Sequence, residues 1–444
     1  MRARGLTQAG LVALLVASGV GVAGLLWQRP HPLDDSSVPW LLLALGAWAL
    51  AVWLVGRTPS FDTRWVLAVG AVELVVAVAR PLHYSGDVWS YAMYGRIVEH
   101  YRANPYSRPP SLFRGDPIMH RVSRGWQSTP SYYGAGFTVL SAAVMRVAGT
   151  SALAIRIAFQ AIAATCLWVS ALVVRRWAPA AGLVALLLNP LVIVWVVNGG
   201  HTDTMIALAL LGCVLLLPQH PRWAALAMAA ALLVKLIVGF AALGAVVWLY
   251  RRSRRDAIRF AIVLAAPVVA LNAMFGLRAP FVPLLHGVHQ ESRDSPWELV
   301  THLRLVAHHV NSLGPWPAIG FVVVSLLFLR YRADAASPGA LVLAGVAGYL
   351  VAAAYILPWY AAWALPLIAL EWRTAIARVL LAESALLALS YAYQNVPRPD
   401  GLDHALMSVA FATRLLLASV VVTVVVLEAQ RWAYHRHGAR GGNA

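Results

Sequence analysis

The sequence predicts an all-α, polytopic membrane protein, a single domain over residues 1–444 with about 12 to 14 transmembrane helices. Two observations predict this fold class. Of the 444 residues, 60% are hydrophobic and only 12% are charged, whereas soluble domains carry about 25% charged residues. The apolar residues also form windows of about 15 to 25 residues, long enough to cross a bilayer as helices, and no alternating strand pattern appears.

The net charge of +17 comes mainly from Lys and Arg residues that flank the apolar windows. Examples are Arg175, Arg176 and the block at 251–255. This distribution is the positive-inside pattern of membrane proteins, so the charge does not indicate a nucleic-acid partner. Cys166 and Cys213 both lie in apolar windows, which argues against a disulfide framework.

The N-terminal apolar segment is expected to be a retained first helix, because no clear small-residue cleavage site follows it. With a cytoplasmic N-terminus, the third helix then ends outside. The predicted membrane segments are 8–27, 38–56, 64–80, 152–174, 180–197, 203–217, 222–250 as a pair kinked around Lys235, 257–275, 316–330, 338–356, 359–370, 375–392 and 405–428. The C-terminus is then cytoplasmic, and two hydrophilic segments, 81–150 and 276–315, are extracytoplasmic.

The first outer loop places Asp87 just beyond the third helix, at the membrane interface. A carboxylate in this position can accept a proton from a sugar hydroxyl as a general base. Asp is also a good N-cap, so capping of a helix that starts at Val88 is an alternative of equal weight. Arginines of this loop, Arg96 among them, suit a substrate phosphate or anionic headgroups in general.

Aromatic and amide side chains in the same loop suit the apolar faces and the hydroxyl groups of a sugar. The alternative is the belt of Trp and Tyr at membrane interfaces, which needs no substrate. The candidate binding residues of this loop are Tyr91, Tyr94, Asn104, Tyr106, Trp126, Tyr132 and Tyr133.

A second polar cluster, Asn198, His201 and Asp203, lies between two predicted helices on the same side. His201 and Asp203 are suited to bind a phosphate or a divalent ion or to orient Asp87, and capping by Asp203 is the alternative. Lys235 interrupts a long apolar segment, where a charge costs at least about 2.5–3.5 kcal/mol unless it is paired. A phosphate is its natural partner, and snorkelling to an interface is the alternative.

The remaining candidates lie in the second outer loop and at a further outer helix junction: His286, His289, Trp359, Tyr360 and Trp363. None of the polar residues forms a known metal-binding signature. We therefore expect no metal site and no required cofactor, with Mg²⁺ or Mn²⁺ left open.

Together these segments resemble the GT-C glycosyltransferases that use polyprenyl-phosphate sugars, especially the actinobacterial mannosyltransferases of glycosyltransferase family 87 and the related alpha-1,6-mannosyltransferases. The matching motifs are Gly86-Asp87-Val88 with Tyr91, Tyr94 and Gly95; Asn104-Pro105-Tyr106; Thr129 to Gly134; Asn189-Pro190; Asn198-Gly199-Gly200-His201 with Asp203; Lys235; and Pro358-Trp359-Tyr360 with Trp363. The resemblance implies a GT-C-like bundle with juxtamembrane helices in the first outer loop, one of them at 133–148. A departure is an additional pair of helices before that loop, which leaves the sidedness unchanged.

The resemblance also implies an activity: inverting transfer of mannose from polyprenyl-phosphate-mannose to a lipid-linked glycan or a phosphatidylinositol-mannoside-like acceptor. The product would be an α-mannoside, made on the extracytoplasmic face of the cell membrane for the cell envelope. Asp87 would be the base, held ionised by Arg96 or a bound cation, while Lys235 and His201 would stabilise the leaving phosphate. A lipid or solute transporter is an alternative, although no related halves are apparent, and so is a glycan ligase or polymerase that uses a lipid-diphosphate donor.

Overall fold

The structure, a computed structural model, describes residues 8–28, 37–282, 337–353 and 355–392, and every regular element in these ranges is helical. Several predictions fall outside the described residues: the membrane segments 316–330 and 405–428, most of the second outer loop, and the candidates His286 and His289.

The first part of the chain forms three apolar helices and then a set of shorter ones. The apolar helices are α1 (Gln8–Trp27), α2 (Val38–Val55) and α3 (Arg64–Ala79). The shorter ones are α4 (Asp87–Glu99), α5 (Arg124–Gln127) and α6 (Ala135–Ala148), with 3-10 turns at Pro110–Phe113 and Met119–Arg121. The juxtamembrane helix expected at 133–148 is therefore present as α6.

The rest of the described chain returns to apolar helices. They are α7 (Ala152–Val174), α8 (Ala180–Leu187), α9 (Asp203–Leu216), α10 (Pro221–Val234), α11 (Gly239–Tyr250), α12 (Arg254–Ala273), α13 (Pro338–Ala352), α14 (Leu365–Leu370) and α15 (Ala375–Ala392). Among the described residues, five segments are long and apolar enough to cross a membrane: α1, α2, α7, Ala180–Val197 and α12. The predicted class, an all-α polytopic membrane protein, is confirmed.

Two predicted membrane segments are not single α-helices. The segment 180–197 breaks after α8 and resumes as a π-helical turn, Val192–Val197, because Pro190 cannot donate a backbone hydrogen bond at the break. The segment 359–370 is divided into a 3-10 helix, Pro358–Trp363, and the short α14, whose second residue is Pro366. Both breaks lie beside the residues that carry the candidate site.

The helix pair predicted around Lys235 is confirmed, and its break has a clear geometry. Helix α10 ends at Val234, and Lys235 adopts an extended conformation with φ −143° and ψ 116°. A 3-10 turn, Leu236–Val238, then leads into α11. The loss of regular backbone bonding at this point is tolerated because other parts of the protein cover it; for example, Gly134 N donates to Val234 O at 2.8 Å.

Candidate active site

Four separate parts of the chain bring polar side chains together at one end of the bundle. They are the start of α4, the loop between the π-helical turn and α9, the break at Lys235, and the 3-10 helix Pro358–Trp363. Gly200 allows a close approach of the second part to the first, because its φ of 64° suits glycine and an added Cβ would lie 2.6 Å from Val88. The site therefore depends on contacts between residues far apart in sequence.

Asp87 is the first residue of α4, and its carboxylate does not cap the helix. The N-cap position is Gly86, and no side-chain capping bond is formed there. Instead the Asp87 side chain, 14% exposed, lies with Oδ2 3.7 Å from His201 Nδ1. The capping interpretation of Asp87 is therefore wrong, and its carboxylate is available for chemistry.

His201 connects Asp87 to the aromatic part of the site. Its Nδ1 atom lies 3.2 Å from the hydroxyl of Tyr91, and its ring stacks on Trp359 with centroids 4.1 Å apart. Burial, and then the charge of Lys235, lower the pKa of His201 well below its usual value. The imidazole is therefore neutral at pH 7, and its buried Nε2 atom has no hydrogen-bond partner among the described residues.

Lys235 is buried and paired. Its Nζ atom donates to Asp203 Oδ1 at 2.9 Å, and the indole N–H of Trp363 donates to the same oxygen at 2.6 Å. The ammonium group also lies 4.4 Å from the centre of the Tyr360 ring, a cation–π distance. Lys235 thus has a carboxylate partner and is not snorkelling, while the N-cap position of α9 is occupied by Thr202 and not by Asp203.

The surroundings of Asp87 raise the pKa of its carboxyl group to about 6. Desolvation by burial is the largest cause; the charge of Lys235 opposes it, and the charge of Asp203 adds to it. Arg96 does not take part, because its Nε atom donates to Asp116 Oδ2 at 2.6 Å within the segment between α3 and α7. The expectation that Arg96 holds Asp87 ionised is therefore wrong, and Lys235 is the nearby cation.

Several predicted binding residues serve to fold the segment between α3 and α7. Tyr94 donates from its hydroxyl to Thr129 O at 2.9 Å, and Tyr106 donates to Tyr133 O at 2.8 Å. Asn104 joins the loop to the end of α12, because its Nδ2 atom donates to Phe275 O at 2.6 Å. None of these hydrogen bonds involves the Asp87 carboxylate.

The remaining aromatic residues of the loop line the site or its rim. Tyr91 and Tyr133 pack edge to face, 4.9 Å apart, and the hydroxyl of Tyr133 donates to that of Tyr91 at 3.4 Å. Tyr133 also lies 5.7 Å from Lys235 Nζ. Trp126 and Tyr132 pair with centroids 5.9 Å apart and remain partly exposed.

Sequence reasoning missed two polar residues beneath the site, Arg156 and Gln160 in α7. Gln160 is fully buried and donates to Asn198 O at 2.7 Å, and Arg156 donates to Gln160 Oε1 at 2.8 Å. The available signal was a pair of polar residues at i and i+4 in an apolar helix, where a polar group needs a partner. Asn198 itself is fully buried, inside the fold.

The described residues, 8–28, 37–282, 337–353 and 355–392, contain no group of three or more His, Cys, Asp or Glu side chains arranged to hold a metal ion. The site offers the carboxylate of Asp87, the neutral imidazole of His201 and the ion pair of Lys235 with Asp203. Such a set is suited to proton transfer and to binding of an anion.

The comparison with protein families matches the N-terminal part of the chain. The family described as alpha-(1->6)-mannopyranosyltransferase, N-terminal domain (MptA_B family), matches residues 7–252, more than half of the chain. The matched part contains Asp87, His201, Asp203 and Lys235, whereas Trp363 lies beyond it. No curated protein and no solved structure matches the chain significantly.

Proposed function

Since this chain belongs to the alpha-(1->6)-mannopyranosyltransferase family and is therefore a mannosyltransferase, we propose that Asp87 is the general base of an inverting transfer from polyprenyl-phosphate-mannose. The acceptor is a lipid-linked glycan or a glycolipid of the phosphatidylinositol-mannoside type. Family membership removes the transporter alternative, because it assigns transfer of mannose to an acceptor. The observation that carries the proposal is a partly exposed carboxylate beside a buried cation.

The reaction follows from the chemistry of the donor. An acceptor hydroxyl attacks the anomeric carbon of a β-linked mannosyl phosphate, and the bond from that carbon to the phosphate oxygen breaks through an oxocarbenium-like transition state. The hydroxyl proton passes to Asp87, and the bonding electron pair leaves with the phosphate. Attack from the opposite face gives an α-mannoside, the anomer in the family's description.

Asp87 suits the role of base because its pKa of about 6 combines ionisation at neutral pH with appreciable basicity. The Nδ1 atom of the neutral His201 lies 3.7 Å from Asp87 Oδ2. The imidazole can therefore orient the carboxylate without forming an ion pair with it. A phosphate that leaves as an anion needs charge stabilisation and no general acid. Lys235 supplies positive charge. The buried Nε2 atom of His201 has no hydrogen-bond partner among the described residues and is available to bind the phosphate.

The distribution of charge supports an extracytoplasmic site. Helices α2, α7 and α11 each have arginines just beyond the end that is remote from the polar cluster: Arg57, Arg175, Arg176, Arg251 and Arg252. Arginines collect on the cytoplasmic side, so the cluster is assigned to the opposite side. There a donor with its polyprenyl tail in the bilayer can present its phosphate between the helix ends.

The test is transfer of radiolabelled mannose from polyprenyl-phosphate-mannose to membrane glycolipids by the Asp87→Asn variant. We expect activity to fall at least about 100-fold, because general-base catalysis contributes about 10²–10⁴-fold. The matched control is Asp256→Asn, which changes an aspartate at the start of α12, outside the polar cluster, and should keep normal activity. Near-normal activity of Asp87→Asn, at normal expression, would refute the assignment of the base.

The donor class is tested in the same membranes. Wild-type protein supplied with a lipid-diphosphate-linked glycan should transfer nothing, whereas polyprenyl-phosphate-mannose should be consumed. The reverse result would replace the proposed transferase with a glycan ligase. A chelator added before the assay tests whether Mg²⁺ or Mn²⁺ contributes to activity. We propose that neither ion is required.

A further inference from the structure

The loop between α3 and α4, residues 80–86, has a backbone conformation that its surroundings must maintain. Tyr84 has a φ of 59°, in the left-handed region that non-glycine residues rarely adopt. Such a conformation is unfavourable for a residue with a side chain and persists only where neighbouring contacts fix it. Asp87 follows three residues later, so the same contacts decide where its carboxylate lies.

Asn198 holds this loop from the interior of the protein. Its Nδ2 atom donates to the carbonyl oxygens of Ala77 and Pro81, both at 2.9 Å. Its Oδ1 atom accepts from the backbone N–H of His83 at 2.8 Å. The whole amide group is thus used within the fold.

Gln160 and Arg156 extend this support to the last turn of α3. Gln160 Nε2 donates to Asn198 O at 2.7 Å and to Ala77 O at 3.3 Å, and Arg156 donates to Val78 O at 3.0 Å. The last carbonyl groups of a helix have no partners within the helix. Three side chains from elsewhere in the protein supply partners here, and they fix the direction in which the chain leaves α3.

The outer end of α1 holds the other side of the loop. The His83 ring lies between two carbonyl oxygens, with Nδ1 2.8 Å from Pro81 O and Nε2 2.9 Å from Gln28 O. Arg80 Nε donates to Leu26 O at 2.9 Å, and its guanidinium lies 4.4 Å from the centre of the Trp27 ring. The loop is therefore held on one side by the end of α1 and on the other side by Asn198.

We propose that Asn198 and Gln160 are positioning residues, which set Asp87 at its distance from His201 and do not contact substrate. The end of α1 has a positioning role in the same arrangement, because it holds the loop that leads to Asp87. Helix α1 belongs to the additional pair of helices that precedes this loop. This inference rests on the proposed function of Asp87. It also revises the sequence-based assignment of Asn198 to substrate binding.

The test combines kinetics with amide hydrogen exchange on the purified full-length protein. In Asn198→Ala we expect faster exchange in the peptide covering residues 80–90. We also expect kcat to fall about 10- to 100-fold, since a displacement near 1 Å can cost about 100-fold. The KM for polyprenyl-phosphate-mannose should stay within about threefold, because no substrate contact is lost. Gln160→Met, which preserves volume, should act in the same direction with a smaller effect.

The matched control is Asn189→Ala. Asn189 is also fully buried and bonded through its amide, to Ser384 Oγ at 3.1 Å and to the N–H of Leu191, but it does not touch the loop. It should lower thermal stability without changing exchange in residues 80–90 or kcat. Unchanged exchange in both test variants, or a rise in KM at constant kcat, would overturn the positioning role. A wild-type protein that transfers no mannose from this donor would instead reject the proposed function and leave the exchange result standing.

Discussion

The Asp87 carboxyl group is nearly enclosed, and its pKa near 6 has a direct kinetic consequence. A general base acts only when it is ionised, so protonation below pH 6 removes the active form. We expect kcat to be constant above about pH 7 and to fall about tenfold per pH unit below pH 6. The measurement is the initial rate with saturating donor and acceptor from pH 4.5 to 8.5. A rate that stays constant down to pH 5 would contradict this environment for the carboxylate.

Two charge variants serve as internal controls for that profile. The charge of Lys235 lowers the pKa of Asp87, and the charge of Asp203 raises it. Lys235→Met should therefore move the acid limb to higher pH, and Asp203→Asn should move it to lower pH. Each single variant leaves a buried charge unpaired, which costs about 3–5 kcal/mol. The double variant removes both charges and is expected to fold better than either.

At the level of single residues, the sequence was informative where chemistry is unusual for a membrane. Asp87, His201 and Lys235 stood out because charged or polar groups are rare next to apolar helices, and the structure brings them together. Arg96 and Asn104 looked equally suitable, yet their partners, Asp116 and Phe275 O, are specified only by the folded loop. Local pattern cannot distinguish a residue that folds a loop from one that faces a substrate.

Among the elements, α11 and α13 make an unusually close contact, which glycines permit. A Cβ on Gly244 would lie 2.2 Å from Leu341 O, and one on Gly345 would lie 2.3 Å from Phe240 O. Small residues allow membrane helices to approach closely. This contact lies next to the break at Lys235, so it also fixes one side of the site.

Gly244→Ala should therefore lower the thermal unfolding midpoint in detergent, because the helices must separate. Overpacking of this kind costs about 1–3 kcal/mol. Gly46→Ala in α2 is the control: nothing lies within 4 Å of its added Cβ, and the residue is exposed at the helix surface. It should be neutral or slightly stabilising, because alanine has the higher helix propensity. Equal midpoints for the two variants would argue against this close contact.

Helix positions were predictable from apolar length, and helix breaks only in part. The predicted segment 152–174 matches α7 at both ends, and within the described residues the end of 8–27 and the start of 375–392 match those of α1 and α15. The π-helical turn was not predicted, because its six residues are all apolar and hydropathy does not distinguish i−5 from i−4 hydrogen bonding. Asn198, the residue that follows the turn, is held by tertiary contacts to Ala77 and Pro81, which hydropathy does not report.

For the whole molecule, the clustering of the site at one end of the bundle predicts a fixed sidedness. In a Cys166→Ala/Cys213→Ala background, we expect Ser107→Cys to react with a membrane-impermeant maleimide added to intact cells. Ser60→Cys, in the connection between α2 and α3, should react only after the cells are opened. Both serines are exposed, so access to the reagent decides the result. Labelling of Ser60→Cys from outside would invert the threading and move the base to the cytosol.

The π-helical turn places an uneven constraint on mutation of the chain. Asn198 N donates to Ile193 O and His201 N donates to Val196 O, so each bond spans one residue more than in an α-helix. Exchange of one aliphatic side chain for another in this turn alters little. Deletion of one residue would restore α-helical bonding and rotate everything after it by about 100°. Related sequences should therefore vary in amino-acid identity between Asn189 and Asn198, while the number of residues between these two positions stays the same.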